Sequence, residues 1–180
     1  MAGCGQTRRV TAAALLGCTA LLGAGCAGDR PGGPTHEPSS RTAANSGVAP
    51  GSARRAVGAR YLVIARAGNR RLNADFDPLE GRDRTDLPRA RADLRDAAAT
   101  ERLFDRRLLR IGFPPESEQV VRDLYRVNQA RERLTTAAAS STSLRRLHAY
   151  QPRLDAANRP VEQAVRRLRR QLGLPPPPTS

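Results

Sequence analysis

Residues 144–172, LRRLHAYQPRLDAANRPVEQAVRRLRRQL, decide the fold. Leu144, Leu147, Gln151, Leu154, Asn158, Val161, Val165, Leu168 and Leu172 follow one another at steps of three and four. That spacing puts them on one face of an α-helix. Pro152 and Pro160 remove backbone donors without disturbing the phase. The pattern predicts one long helix kinked near Pro152, or two collinear helices. Gly173 and the run Pro175 to Pro178 stop it, and residues 175–180 read as a disordered Pro-rich tail, with a polyproline ligand as the other reading.

Three more amphipathic segments precede this one. Val57, Tyr61, Ile64, Gly68, Leu72 and Phe76 share a helical face within residues 54–76. Leu87, Ala90, Leu94, Ala97, Glu101, Phe104, Leu108 and Ile111 share another. A third helix starts at Pro115 and runs through Val120, Leu124, Val127, Arg131, Leu134 and Ala138, with Glu116 and Glu118 at the positive end of its dipole. Asp86 is expected to cap the second helix, and the Ser140 to Ser143 run to stop the third helix and cap the fourth. Short connections between four such segments predict an all-α, up-and-down four-helix bundle over residues 54–174.

The segments are strongly basic. The chain carries 31 basic residues against 17 acidic ones, a net charge of +14, and the sequence contains no Lys. Within residues 54–174 there are 27 arginines and 15 acids. On the fourth segment Arg145, Arg146, Arg153, Arg159, Arg166, Arg167 and Arg170 lie broadly opposite the apolar seam, with Arg169 on the flank. Such a face is either solvated surface or a contact for anionic headgroups or polymers. Aromatic residues make up only 3% of the chain, too few to stack bases, so nucleic acid is not an expected partner.

Catalytic and metal chemistry find little to work with. His36 and His148 are the only histidines, and neither belongs to a Glu-x-x-His pair. The acidic stretch Asp75, Asp77, Glu80, Asp83 and Asp86 departs from the calcium loop pattern, with Glu80 standing where the turn glycine belongs. It reads instead as a connection paired with Arg82 and Arg84. No cofactor, no metal and no enzymatic activity are expected. Four polar residues do fall on or beside the seams: Glu101, Asn128, Gln151 and, with a slight offset, Arg131. Counting outward from the connections places Glu101, Asn128 and Gln151 in one central layer, with Tyr61 near it. That layer is either a polar ligand pocket or a hydrogen-bonded layer that fixes register.

Upstream of the bundle, residues 26–53 are rich in Gly, Pro, Ser, Thr and Ala and lack bulky apolar side chains, as in Pro31-Gly32-Gly33-Pro34. They read as a disordered tether reaching about 30 Å. Before them, Arg8 and Arg9 precede an apolar run from Val10 that ends in Leu21-Leu22-Gly23-Ala24-Gly25-Cys26. A basic head, an apolar middle and a small-residue end make a secretory signal over residues 1–25. The last six residues resemble the lipobox of bacterial lipoproteins, with Gly23 in the usual aliphatic place. The resemblance implies lipid attachment at Cys26 and a cell-membrane location on the extracytoplasmic face. Attachment at Cys18, or cleavage that releases a soluble secreted protein, are the alternatives. The cysteines are Cys4, Cys18 and Cys26, so a chain trimmed at Cys26 holds no intramolecular disulfide. The whole predicts an envelope protein that binds anionic lipid, wall polymer or another envelope protein. Small-ligand binding in the polar layer is the competing function.

Overall fold

The computed structural model describes residues 50–177. The expected signal over residues 1–25, Cys26 and the expected tether up to residue 49 lie outside the described residues. Five helices run in order: α1 (Pro50–Glu80), α2 (Leu87–Leu108), α3 (Pro115–Ala139), α4 (Leu144–His148) and α5 (Gln151–Gln171). No strand occurs among the described residues. α1 packs on α2, α2 on α3 and α3 on α5, so the fold is an up-and-down bundle whose fourth arm is split.

The elements start and stop for local reasons. Asp86, in extended conformation, accepts from the Arg89 N–H at 3.1 Å and caps α2. Ser143 does the same for α4, accepting from the Arg146 N–H at 3.3 Å. Glu116 and Glu118 occupy the first turn of α3. α1 begins at Pro50, so residues 50–53, expected in the tether, are helical. It also runs through Pro78 to Glu80, where Gly81 N–H closes on the Asp77 and Pro78 carbonyls at 3.1 Å.

The fourth arm breaks between His148 and Gln151. Pro152 has no N–H to offer the His148 carbonyl, so the ladder fails there and α5 restarts with Pro152 in its first turn. Pro160 lies inside α5, and the helix continues past it. Of the two sequence expectations, two successive helices is the one found.

The core follows the predicted stripes on α1, α2 and α5, but on α3 the buried face is turned by one residue: Val121, Asn128 and Thr135 are buried where Val120, Val127 and Leu134, half-buried, were expected. Leu94, Leu108, Leu124, Val161, Val165 and Leu168 are fully buried. Truncating such a leucine to Ala typically costs about 2–5 kcal/mol. Between them lie Ala65, Ala90, Ala97, Ala138 and Ala164, all buried, which let the helix backbones approach. Gly68 serves the same end against the Phe104 ring, 3.7 Å from where a Cβ would stand. Antiparallel register is set by Thr100 Oγ1 donating to Asp75 Oδ2 at 3.2 Å and by Arg91 Nε donating to the Ala139 carbonyl at 2.9 Å.

Candidate functional site

The interior holds a polar cluster built on Arg131. This side chain is 3% exposed and leaves α3 towards the other three main helices. Its Nε donates to Asn158 Oδ1 of α5 at 2.7 Å. Its terminal nitrogen forms an ion pair with Glu101 of α2, itself fully buried. The guanidinium lies 5.6 Å from the Phe76 ring of α1, within cation–π range. Thr135, one turn along α3, donates to Glu101 Oε1 at 3.5 Å and to the Arg131 carbonyl at 3.2 Å.

One turn from Glu101 on α2, buried Asp105 accepts from Asn128 Nδ2 at 2.8 Å. Burial drives both carboxyls upward. Glu101 rises from 4.5 to about 7, held back mainly by the Arg131 charge. Asp105 rises from 3.8 to about 7, opposed by its bond to Asn128 and pushed further by Glu101. Asn128 Oδ1 is buried and accepts no hydrogen bond among the described residues.

Two members of the expected layer sit elsewhere. Gln151 is half-buried and its amide donates along its own helix to exposed Asp155 at 3.1 Å. Asn158 occupies the place foreseen for Gln151. The reason is the α4 turn and the break after it, which use up chain before α5 begins and slide its register by about two turns. Tyr61 is fully buried but lies 15 residues before Phe76 on α1, about 22 Å along the axis. Its neighbour is Arg169, whose charge partly offsets the upward push of burial on the phenol. Glu101 and Asn128 are in the layer as expected, with Arg131 at its centre. Asp105 and Thr135 were not foreseen. Asp105 sits one step off the α2 stripe, next to Phe104, and a helix stripe gives no weight to a charged residue there.

The arginine face of α4 and α5 is mostly where the spacing put it. Arg145, Arg146, Arg153, Arg159, Arg166, Arg167 and Arg170 are exposed. Arg169 is not part of it: the residue is 1% exposed, and its Nε donates to the Pro175 carbonyl at 2.6 Å. Its second amine reaches the Pro176 carbonyl at 3.5 Å. Pro175 and Pro176 are therefore held against the bundle rather than forming part of a free tail.

Of the two arginines expected to pair with the acidic connection, Arg82 does, with Nε on Asp83 Oδ2 at 3.3 Å, while the place foreseen for Arg84 is taken by Arg89, on Asp86 at 3.4 Å and Asp83 at 3.7 Å. No group of three His, Cys, Asp or Glu suited to a metal ion occurs among the described residues. No described helix is long and apolar enough to cross a membrane. Chemically, the Arg131 cluster is a cation with a carboxyl, an amide and a hydroxyl turned on one another, and it ties helices together. Comparison of the chain with protein-family models, with curated proteins and with solved structures finds no match.

Proposed function

We propose that this chain is a non-enzymatic module of the cell envelope, anchored by lipid on Cys26, whose bundle engages an anionic surface. The observation that carries the reading is the charge of α4 and α5. Of their seven exposed arginines only Arg166 has an ion-pair partner among the described residues, Glu162 at 3.5 Å. Each Arg near an anionic surface contributes about 1 kcal/mol before screening. The attraction fades beyond a Debye length of about 8 Å at physiological salt, so binding is weak, salt-sensitive and shared among residues.

Against the competing small-ligand reading stands the bonding within the Arg131 cluster, where the guanidinium is taken up by Asn158 and Glu101 and Thr135 bonds Glu101. Two measurements test the proposal. Metabolic labelling with a palmitate analogue should mark the wild-type chain and fail on Cys26→Ser. Binding to phosphatidylglycerol vesicles should fall as salt rises, and fall again when Arg166, Arg167 and Arg170 are changed together to Gln. Undiminished labelling of Cys26→Ser defeats the anchor, and absence of vesicle binding at low salt defeats the surface contact.

A further inference from the structure

Arg169, in the last turn of α5, is a buried cation without an anion. It is 1% exposed and has no ion-pair partner among the described residues. A buried charge is stable only where an opposite charge or several polar atoms answer it. What answers Arg169 is a pair of neutral carbonyls. Nε donates to the Pro175 oxygen at 2.6 Å, and Nη2 reaches the Pro176 oxygen at 3.5 Å. Nε and Nη2 form one edge of the guanidinium, the edge that takes two oxygens of a carboxylate or phosphate side by side. The strap after Gly173 therefore sets two carbonyl oxygens where an oxyanion sets its own. Two further donors are unmet. Nη1 of the same group is buried without a partner, and so is the hydroxyl of Tyr61 on α1, which feels the Arg169 charge.

The strap is lightly held. Its root is fixed, because the Leu174 N–H bonds the Arg169 carbonyl at 2.9 Å and the Leu174 side chain lies on Gly58. Pro175, Pro176 and Pro177 follow, and none of them has a backbone N–H. This stretch of backbone accepts hydrogen bonds but cannot donate any, and Pro175 and Pro176 are exposed. Its hold on the bundle is thus the same pair of bonds that an incoming oxyanion contests. A carbonyl offers Arg169 a dipole, whereas an oxyanion offers a full opposite charge at low dielectric.

We propose that Arg169 is the binding site of a phosphate group, which displaces the Pro175 and Pro176 carbonyls and takes both their places on the Nε–Nη2 edge. Phosphate suits the site better than carboxylate. A carboxylate spends both oxygens on that edge, while a phosphate keeps further oxygens for the unmet donors. The site lies away from the Arg131 cluster and binds one ligand at one place. It stands apart from the anionic-surface reading above: vesicle binding by the exposed arginines can fail while this site holds, and the reverse.

The test titrates the full chain with inorganic phosphate at fixed ionic strength and follows two NMR resonances, the Arg169 Nε–H and the Pro175 carbonyl carbon. Expected is that both move along one saturating curve, and that acetate at the same concentrations moves them less. By calorimetry, Arg169→Met should weaken phosphate binding about tenfold or more. Changing Arg166, Arg167 and Arg170 together to Gln should alter it by less than about threefold, since only screened surface charge is lost. A second arm replaces inorganic phosphate by a short-chain phosphatidylglycerol below its micelle concentration. A tighter curve there makes a lipid headgroup the source of the phosphate, and a weaker one makes it free phosphate; either supports the site. The resonance curves need no variant, so they decide even if Arg169→Met fails to fold. Resonances that stay still, or drift without saturating, overturn the proposal. So does phosphate binding that survives Arg169→Met and disappears with the three exposed arginines. Movement of the Arg169 resonance with the Pro175 carbonyl unmoved overturns the displacement of the strap, and acetate binding as tight as phosphate overturns the assignment of the ligand.

Discussion

Arg131 Nε donates to Asn158 Oδ1 at 2.7 Å, and the same guanidinium pairs with Glu101 and lies over Phe76. One side chain thus joins α3 to α5, α2 and α1. Removing it leaves Glu101 buried without its cation, a loss of about 3–5 kcal/mol. Arg131→Met should therefore lower the urea midpoint sharply. Adding Glu101→Leu should recover most of that loss, because no uncompensated charge remains. Recovery absent from the double variant would show that the two residues act independently.

The raised carboxyls set the pH dependence of stability. Between their ordinary values, 3.8 and 4.5, and about 7, folded Asp105 and Glu101 keep protons that the unfolded chain has released. The native state then binds more protons, so the free energy of unfolding falls as pH rises through this window. The slope is about 1 kcal/mol per pH unit for each group and flattens above pH 7. Denaturant melts from pH 4 to 8 measure it. Asp105→Asn keeps an acceptor for Asn128 Nδ2 and carries no titrating proton, so it should reduce the slope and raise stability at pH 8. A slope identical to wild type removes Asp105 from the account.

Caps should behave as local contributions. Asp86→Ala removes the acceptor for the Arg89 N–H and one partner of the Arg89 guanidinium. A loss of about 1 kcal/mol is expected in thermal or urea unfolding. Ser143→Ala removes the equivalent bond from α4, a helix of only five residues, and should cost less. A larger loss for Ser143→Ala than for Asp86→Ala would mean that α4 carries more of the bundle than its length implies.

The four arms of the bundle, their connections and the buried faces of α1, α2 and α5 were legible because the stripes persist at steps of three and four and the caps stand at the ends. Register was not. Counting outward from connections assumed that every residue past a turn advances the next helix. The extended Gly112 to Pro114 connection and the α4 turn break that assumption, so Glu101 meets Arg131, and Asn158 takes the place foreseen for Gln151. Arg169 was misplaced for a related reason. Its angle on the helix puts it at the edge of the face, and there it meets Tyr61 of α1 and the returning Pro175 carbonyl. Such a contact comes from the tertiary path after Gly173, which periodicity within the helix does not describe.

That path depends on Gly173, which alone among the described glycines has a positive φ, +67°. Its N–H bonds the Arg170 carbonyl at 3.1 Å, and the Leu174 N–H bonds the Arg169 carbonyl at 2.9 Å, the two bonds of a left-handed helix stop. The turn lays Leu174 on Gly58 and brings the Pro175 and Pro176 carbonyls onto Arg169, a buried cation with no carboxylate partner among the described residues. Gly173→Ala should cost about 1 kcal/mol through strain at this φ. Ending the chain after Leu174 removes both carbonyl acceptors and should cost about 1–3 kcal/mol, the penalty for leaving buried donors unmet. The same truncation in an Arg169→Met background removes nothing that the apolar side chain needs, and should be nearly neutral. The difference between the two truncation costs measures the coupling of Arg169 to the strap. Equal costs in both backgrounds would mean that the carbonyl contacts on Arg169 contribute nothing to stability.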